Sequence, residues 1–215
     1  MVEDALKAAL DEVRHAKTSF DIASKLTGKE VGPGPLPESK HVFGQDMTAL
    51  ALAVAKEGCV DETLSAFEAA AEADVINTVL ANGADGTKYS DIDKDILIWI
   101  GNELHTIALE ESNHAALAWR TIKWVCSVDA DACSIVKQHV LNEDELERAF
   151  RRRFGSFNGR HETLQNMEDN WRKIYSHIDF PALVYTSIGF GSDNTKGESL
   201  VSVMAGEVVR GVSRR

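Results

Sequence analysis

The sequence predicts an all-α fold, with long helices laid side by side as a bundle. Three observations carry that expectation. Only 4 of the 215 residues are proline, the residue that helix interiors tolerate least. Long runs are rich in Ala, Leu, Glu and Lys, which are strong helix formers. Apolar residues also recur at spacings of three and four over unusually long stretches, as in Ala51, Leu52, Ala55, Cys59, Ala66, Ala69, Ala70, Ala73 and Ile76.

The first helix is expected from about Met1 to about Leu26, closed by Thr27-Gly28. Its rows hold Ala5, Ala8, Ala9, Glu12, His15, Ala16, Ile22, Ala23 and Leu26, so Glu12-Val-Arg-His15 is flanked by small apolar residues. Gly28 to Pro37 is dominated by Gly and Pro and cannot continue the helix. Periodicity returns after Phe43-Gly44, which makes the connection roughly 18 residues, long beside the usual 2–8 between bundle helices. At ~3.3 Å per residue it can span ~60 Å. Such a crossover returns along the bundle and leaves the two helices it joins parallel.

The second helix is expected from about Gln45 to about Leu80, closed by the turn residues Asn82-Gly83-Ala84-Asp85-Gly86. Glu62 interrupts its otherwise small and apolar row. Glu57 lies ~140° around the same helix at ~100° per residue, so it is expected as a supporting or salt-bridge partner. The third helix should run from Ser90, as N-cap, to about Val125. There Glu111 and His114 stand one turn apart on the face that also carries Leu104, Ile107, Ala108, Ala115, Ala118 and Ile122. If the second and third helices form an antiparallel hairpin turning near residue 85, Glu62 and Glu111 come level to within about one helical turn.

Beyond Val125, Asp129 to Phe154 reads as one or two helices ending in the basic run Arg151-Arg-Arg153. A loop at 155–159, a short helix from Glu162 to Tyr175, an irregular stretch from Asp179 to Gly197 and a final amphipathic helix from Ser199 to Val212 follow. The organisation expected is a bundle over residues 1–128 and a helical extension packed on it over 129–215.

An unpaired carboxylate buried in an apolar stripe is costly, so Glu12 and Glu111 need compensation. One solution is a pair of buried polar networks, through Arg14 or Arg120. The other is a metal ion. Two Glu-x-x-His pairs with Glu62 level with Glu111 favour the metal, because carboxylates bridge hard or borderline cations and one imidazole per ion leaves positions open. Neutral imidazole and ionised carboxylate are required, so affinity should fall as pH drops. His41, His105, His139, His161 and His177 show no ligand spacing. Tyr89, Tyr185, Trp99, Trp119 and Trp124 are expected to pack.

Glu-x-x-His on each of two helices, with a lone Glu on a partner helix, is the ligand set of carboxylate-bridged dinuclear bundles. The sequence resembles the ferritin-like superfamily, in particular ferritin-like domain proteins with strings like Asp11-Glu-Val-Arg-His-Ala16, Gly32-Pro-Gly-Pro-Leu36, Glu57-Gly-Cys-Val-Asp-Glu-Thr63 and Glu110-Glu-Ser-Asn-His-Ala-Ala-Leu-Ala-Trp-Arg120. The similarity covers roughly residues 1–125, and Gly206-Glu-Val-Val-Arg210 looks like a tail element of such proteins. The resemblance implies Glu12, His15, Glu62, Glu111 and His114 as ligands of iron (as a di-iron centre) or manganese, and an oxidase or oxygenase activity. Such bundles normally begin with a further helix that donates the first Glu, and this chain starts at the second. The alternative is therefore a non-catalytic structural or interaction domain with an incomplete site. A complete dinuclear site needs another carboxylate, from a second chain, a preceding segment or Glu207. The groove left by the absent helix is an expected site of homodimerisation or of docking by the C-terminal region.

Composition narrows the partners. A net charge of −11 argues against nucleic acid and anionic membranes. No apolar run reaches the ~18 residues of a membrane helix, and Met1-Val-Glu-Asp does not begin a signal peptide. Three cysteines, Cys59, Cys126 and Cys133, make neither an even framework nor a C-x-x-C pair, so reduced thiols in the cytoplasm or another reducing compartment are expected.

Overall fold

The computed structural model describes residues 1–35, 46–84, 86–155 and 168; among them helix follows helix and no strand occurs. The elements are α1 (Val2–Thr27), α2 (Met47–Ala53), a π-helical segment (Val54–Asp61), α3 (Glu62–Asn82), α4 (Lys94–Val128), α5 (Ala130–His139) and α6 (Glu143–Phe154). The fold is all-α, as the sequence predicts. The expected helices from Glu162 to Tyr175 (apart from Glu168) and from Ser199 to Val212, together with His41, His161, His177, Tyr185 and Glu207, lie outside the described residues.

Local chemistry sets the boundaries. Gly28 ends α1 at φ 66°, a left-handed conformation that glycine adopts without penalty. The Asp46 side chain accepts from the Ala49 amide to start α2, and Asn142 accepts from the Glu145 amide to start α6. Ser90 is not the cap of α4. Residues 87–92 form successive turns, with Ser90 N–H donating to Thr87 O and Ile92 N–H to Tyr89 O. The helix therefore starts later, behind Asp93, whose side chain accepts from the Asp95 and Ile96 amides. The run Arg151–Arg153 sits in the last turn of α6, where cations suit the helix dipole. Arg151 pairs with Glu147 at 2.7 Å and Arg153 with Glu68 at 2.6 Å.

Residue pairing fixes the directions of the helices. Gly58 approaches Ala118, Glu62 meets Glu111, and Gly101 lies against Ile76. Numbers fall along α4 as they rise along α2 and α3, so the two arms form an antiparallel hairpin. Likewise Asp4 meets Arg120, His15 meets Glu110, and Lys25 lies over the Trp99 ring. Hence α1 also runs antiparallel to α4 and parallel to α3. The chain between Gly28 and Asp46 joins two parallel helices, which a short hairpin loop could not do.

The core has two clusters. The larger joins α2, the π-helical segment, α3 and α4 to α5 and α6, through side chains such as Leu64, Ile122, Val136, Leu146 and Phe154. The smaller lies toward the hairpin turn, around Ile76, Leu97, Ile100 and Tyr89, with Trp99 against it. α1 adds only the half-buried Ile22, packed against the smaller cluster; its buried residues are His15 and Thr18. Ala5, Ala9 and Ala16, expected beside the Glu12–His15 pair on an apolar inward face, are exposed. α1 has rotated that face outward, because it meets α4 through its polar row.

The expectation for the cysteines is overturned as well. Cys126 and Cys133 are not reduced thiols but a disulfide, with Cα atoms 4.7 Å apart, while Cys59 is free and buried. Asp129 breaks the helix between them, so two short-range cysteines face each other across the α4–α5 corner rather than along one helix. The cysteine argument for a reducing compartment falls with this pairing. No helix among the described residues is long and apolar enough to cross a membrane.

Candidate metal centre

Two helices aim two acidic and two imidazole side chains at one volume, and a third helix adds another acid. On α1, Glu12 and His15 share a face by their i, i+3 spacing, and on α4 Glu111 and His114 do the same. His15 Nδ1 lies 3.3 Å from Glu12 Oε1 and 3.3 Å from Glu111 Oε1. His114 Nδ1 lies 3.2 Å from Glu12 Oε1 and 3.6 Å from Glu111 Oε2. The two rings stand 5.8 Å apart between centroids. Glu62, the first residue of α3, hydrogen-bonds Glu111. Donor atoms of Glu12, Glu62, Glu111 and His114 all lie within 4.8 Å of one another. All five residues singled out in the sequence are thus gathered at one place.

The outer ring nitrogens show a feature that the sequence reading passed over. His15 Nε2 is 2.8 Å from Glu110 Oε2, and His114 Nε2 is 3.3 Å from Asp11 Oδ2. Each acid immediately precedes the Glu of the opposite helix's motif. A signal for them was present: both motifs read acid-Glu-x-x-His, and a residue one place earlier points ~100° away around the helix, toward the neighbour. Arg14 then bridges Glu110 and Glu103, the latter at 3.1 Å. Thr18 donates to Glu103 at 3.4 Å. The polar network through Arg14 therefore exists beside the ligand cluster. Arg120 takes no part and pairs with Asp4 near the end of the bundle.

The π-helical segment leads straight into Glu62. Its Glu62 N–H donates to Glu57 O, five residues back, so the wider turn stacks Glu57 one turn below Glu62. The 140° separation expected for an α-helix does not apply here. Glu57 is nonetheless exposed, outside the cluster and without an ion pair among the described residues. Gly58 in the same segment lets α4 come close: a Cβ there would run into the Ala118 side chain.

Electrostatics show the cluster to be short of positive charge. Burial pushes the Glu62 carboxyl up to about 8, helped by its hydrogen bond and repulsion from Glu111. Burial also acts to raise Glu111, yet its hydrogen bond with His114 and that with Glu62 hold it below the usual carboxylate value. Burial opposes charge on His114, but hydrogen bonds to Glu111 and Asp11 lift it to about 9. At neutral pH two protons therefore occupy the cluster, one on Glu62 and one shared across His114. Buried His15 Nδ1 and Glu111 Oε2 lack a hydrogen-bond partner, as does Arg14 Nε in the network beside them. Buried polar atoms are almost always satisfied, so two orphans facing one volume fit a cation held there. Access is one-sided, since the Glu12 side chain is 52% exposed while those of Glu111 and His114 are at 10% and 7%.

No protein-family model, no curated protein and no solved structure matches the chain. The site therefore has to be read from its own geometry. Tyr89 stays apart from it: the phenol donates to Glu72, beside Lys88, and burial raises it to about 12. His105 and His139 are exposed.

Proposed function

We propose that this chain is a ferritin-like protein that binds iron or manganese through Glu12, His15, Glu62, Glu111 and His114. One observation carries the reading. The outer nitrogen of each imidazole is tied to an acid on the opposite helix, which turns both inner nitrogens onto the same two carboxylates. Metal-bound histidines are oriented by such outer partners, and the inner nitrogen of His15 and one oxygen of Glu111 are left without a hydrogen-bond partner. When bound, iron or manganese would supply redox and Lewis-acid chemistry toward oxygen or peroxide. The chain's own part is to position the donors, to surrender the protons on Glu62 and His114 as the ion enters, and to keep the α4 side of the site dry.

The second reading, a non-catalytic domain with an incomplete site, is favoured by the imbalance of the cluster. Glu12, Glu62, Glu111 and His114 form a compact foursome, while the inner nitrogen of His15 has only the shared Glu12 and Glu111 beside it. Metal analysis of protein purified without chelator separates the alternatives. The metal-binding reading expects about one equivalent or more of bound metal. It also expects a melting temperature about 5–10 °C higher when free metal exceeds its dissociation constant a hundredfold. It fails if metal stays well under one equivalent and Glu111→Ala leaves iron binding unchanged. Bound metal without oxygen or peroxide turnover would leave the non-catalytic reading standing.

A further inference from the structure

The unexplained part of this molecule is the outer face of α1. Leu6, Val13 and Phe20 recur every seven residues, as do Val2, Ala9, Ala16 and Ala23, and the two sets alternate at spacings of four and three. That is the pattern of a coiled-coil seam, a and d positions in turn. It extends over three heptads, ~32 Å at 1.5 Å per residue. Val2 is 78% exposed, Leu6 65% and Val13 69%, and Ala9 and Ala16 are exposed as well. α1 packs on α4 through the opposite side, with His15 and Thr18. Phe20 and Ala23, at the far end, are half-buried. No helix of the described residues lies along the seam, and an apolar stripe exposed from Val2 to Ala16 is unusual for a stable helix.

The residue sizes say what fits there. One row is large (Leu6, Val13, Phe20) and the other is small beyond Val2 (Ala9, Ala16, Ala23). A parallel pairing of two such helices would set Leu against Leu and Ala against Ala, alternating crowded and hollow layers. An antiparallel pairing sets each row against the other. In one register Leu6 faces Ala23 of a second copy, Val13 faces Ala16 and Phe20 faces Ala9, and each contact recurs by two-fold symmetry. Every layer then holds one large and one small side chain, the condition for even packing. The ends agree as well, since the acidic first turn (Glu3, Asp4) of one helix comes beside the basic last turn (Lys25) of the other, with dipoles opposed.

We propose that the occupant of this face is a second copy of the chain, forming a two-fold homodimer through antiparallel α1 helices. The axis passes at the level of Arg14 and His15, so the partner helix lies across the exposed side of Glu12 and shields the open flank of the cluster. The association needs no metal and stands independently of the metal-binding reading.

Sedimentation velocity on the full chain tests it, with Leu6→Glu and Val13→Glu as variants at exposed positions. The wild type is expected at twice the chain mass of 23.6 kDa and both variants at the single mass, with unchanged helical circular dichroism. Cross-linking tests the register without disturbing the fold. A mixture of Val13→Cys and Ala16→Cys chains should form a disulfide-linked dimer under mild oxidation far more readily than either chain alone. A wild type that stays monomeric across the micromolar range overturns the proposal, whether the seam is then covered by residues 199–212 or by another polypeptide. Dimers that survive both glutamate variants overturn it too, as does equal cross-linking by Val13→Cys alone.

Discussion

His15 and Glu110 face each other across the α1–α4 interface, with 2.8 Å between Nε2 and Oε2. A carboxylate that accepts from Nε2 leaves the Nδ1 lone pair of a neutral imidazole pointing at Glu12 and Glu111. Asp11 holds Nε2 of His114 in the same way at 3.3 Å, so His114 presents its Nδ1 lone pair once its second proton has left. Each helix thereby fixes the tautomer of the other helix's histidine, and neither motif is aimed until the two helices dock.

Removing one of these acids should weaken metal binding without removing a ligand. Glu110→Ala is expected to lower affinity about 10–100-fold. Glu110→Gln should fall between the alanine variant and the wild type, because its carbonyl still accepts but carries no charge. Competition against a chromophoric chelator measures both. Equal affinities for all three proteins would show that Glu110 serves only Arg14.

The protons in the empty cluster give a pH dependence of defined sign. Glu62 rises from 4.5 to about 8 and His114 from 6.5 to about 9 in the folded protein. The fold thus holds both protons more tightly than the unfolded chain does, and the stability this contributes is lost as pH climbs through about 8 and then about 9. The metal-free protein should melt at progressively lower temperature on going from mildly acidic to alkaline buffer. Metal should reverse the trend, since its ligands bind only when deprotonated. Glu62→Gln should flatten the metal-free profile and abolish the metal-induced rise. A metal-free melting temperature that increases across that range would contradict the assignment.

Gly58 is the point of closest approach between the π-helical segment and α4. Gly58→Ala should cost about 1–3 kcal/mol by overpacking against Ala118, despite the helical preference for alanine. Ala118→Gly in the same chain should recover part of the loss. Denaturant titrations of the two single variants and the double variant provide the cycle. Additive effects would mean that the two residues do not meet.

α1 should be the least protected of the long helices, because apart from the half-buried Ile22 it is held by polar contacts. Hydrogen exchange is expected to be faster over Val2–Thr27 than over α3 and α4, and metal should slow α1 selectively. Uniform protection of all three helices would show that α1 has a further anchor.

Much of this was legible in the sequence. Periodicity located the helices to within a few residues, and the hairpin count brought Glu62 level with Glu111. What escaped depended on events between helices. A five-residue hydrogen-bond spacing before Glu62 leaves no mark in apolar periodicity, so Glu57 was placed by α-helical angles that do not hold there. Asp11 and Glu110 act on the opposite helix, and a reading of one helix at a time overlooks them. The apolar row of α1 was assigned inward because apolar faces usually are, whereas the polar row turned inward here. Cys126 and Cys133 meet only because Asp129 bends the chain.

The thin attachment of α1 carries a consequence for how an ion would come and go. Glu12 and His15 ride on a helix with no buried apolar side chain, while the remaining donors sit on the core hairpin. Lifting that one helix dismantles the site in a single motion, so no channel through the protein is required. Extraction by a strong chelator would then proceed at a ceiling rate set by the undocking of α1, indifferent to further chelator, and any contact that clasps α1 more firmly would lengthen the residence time of the ion.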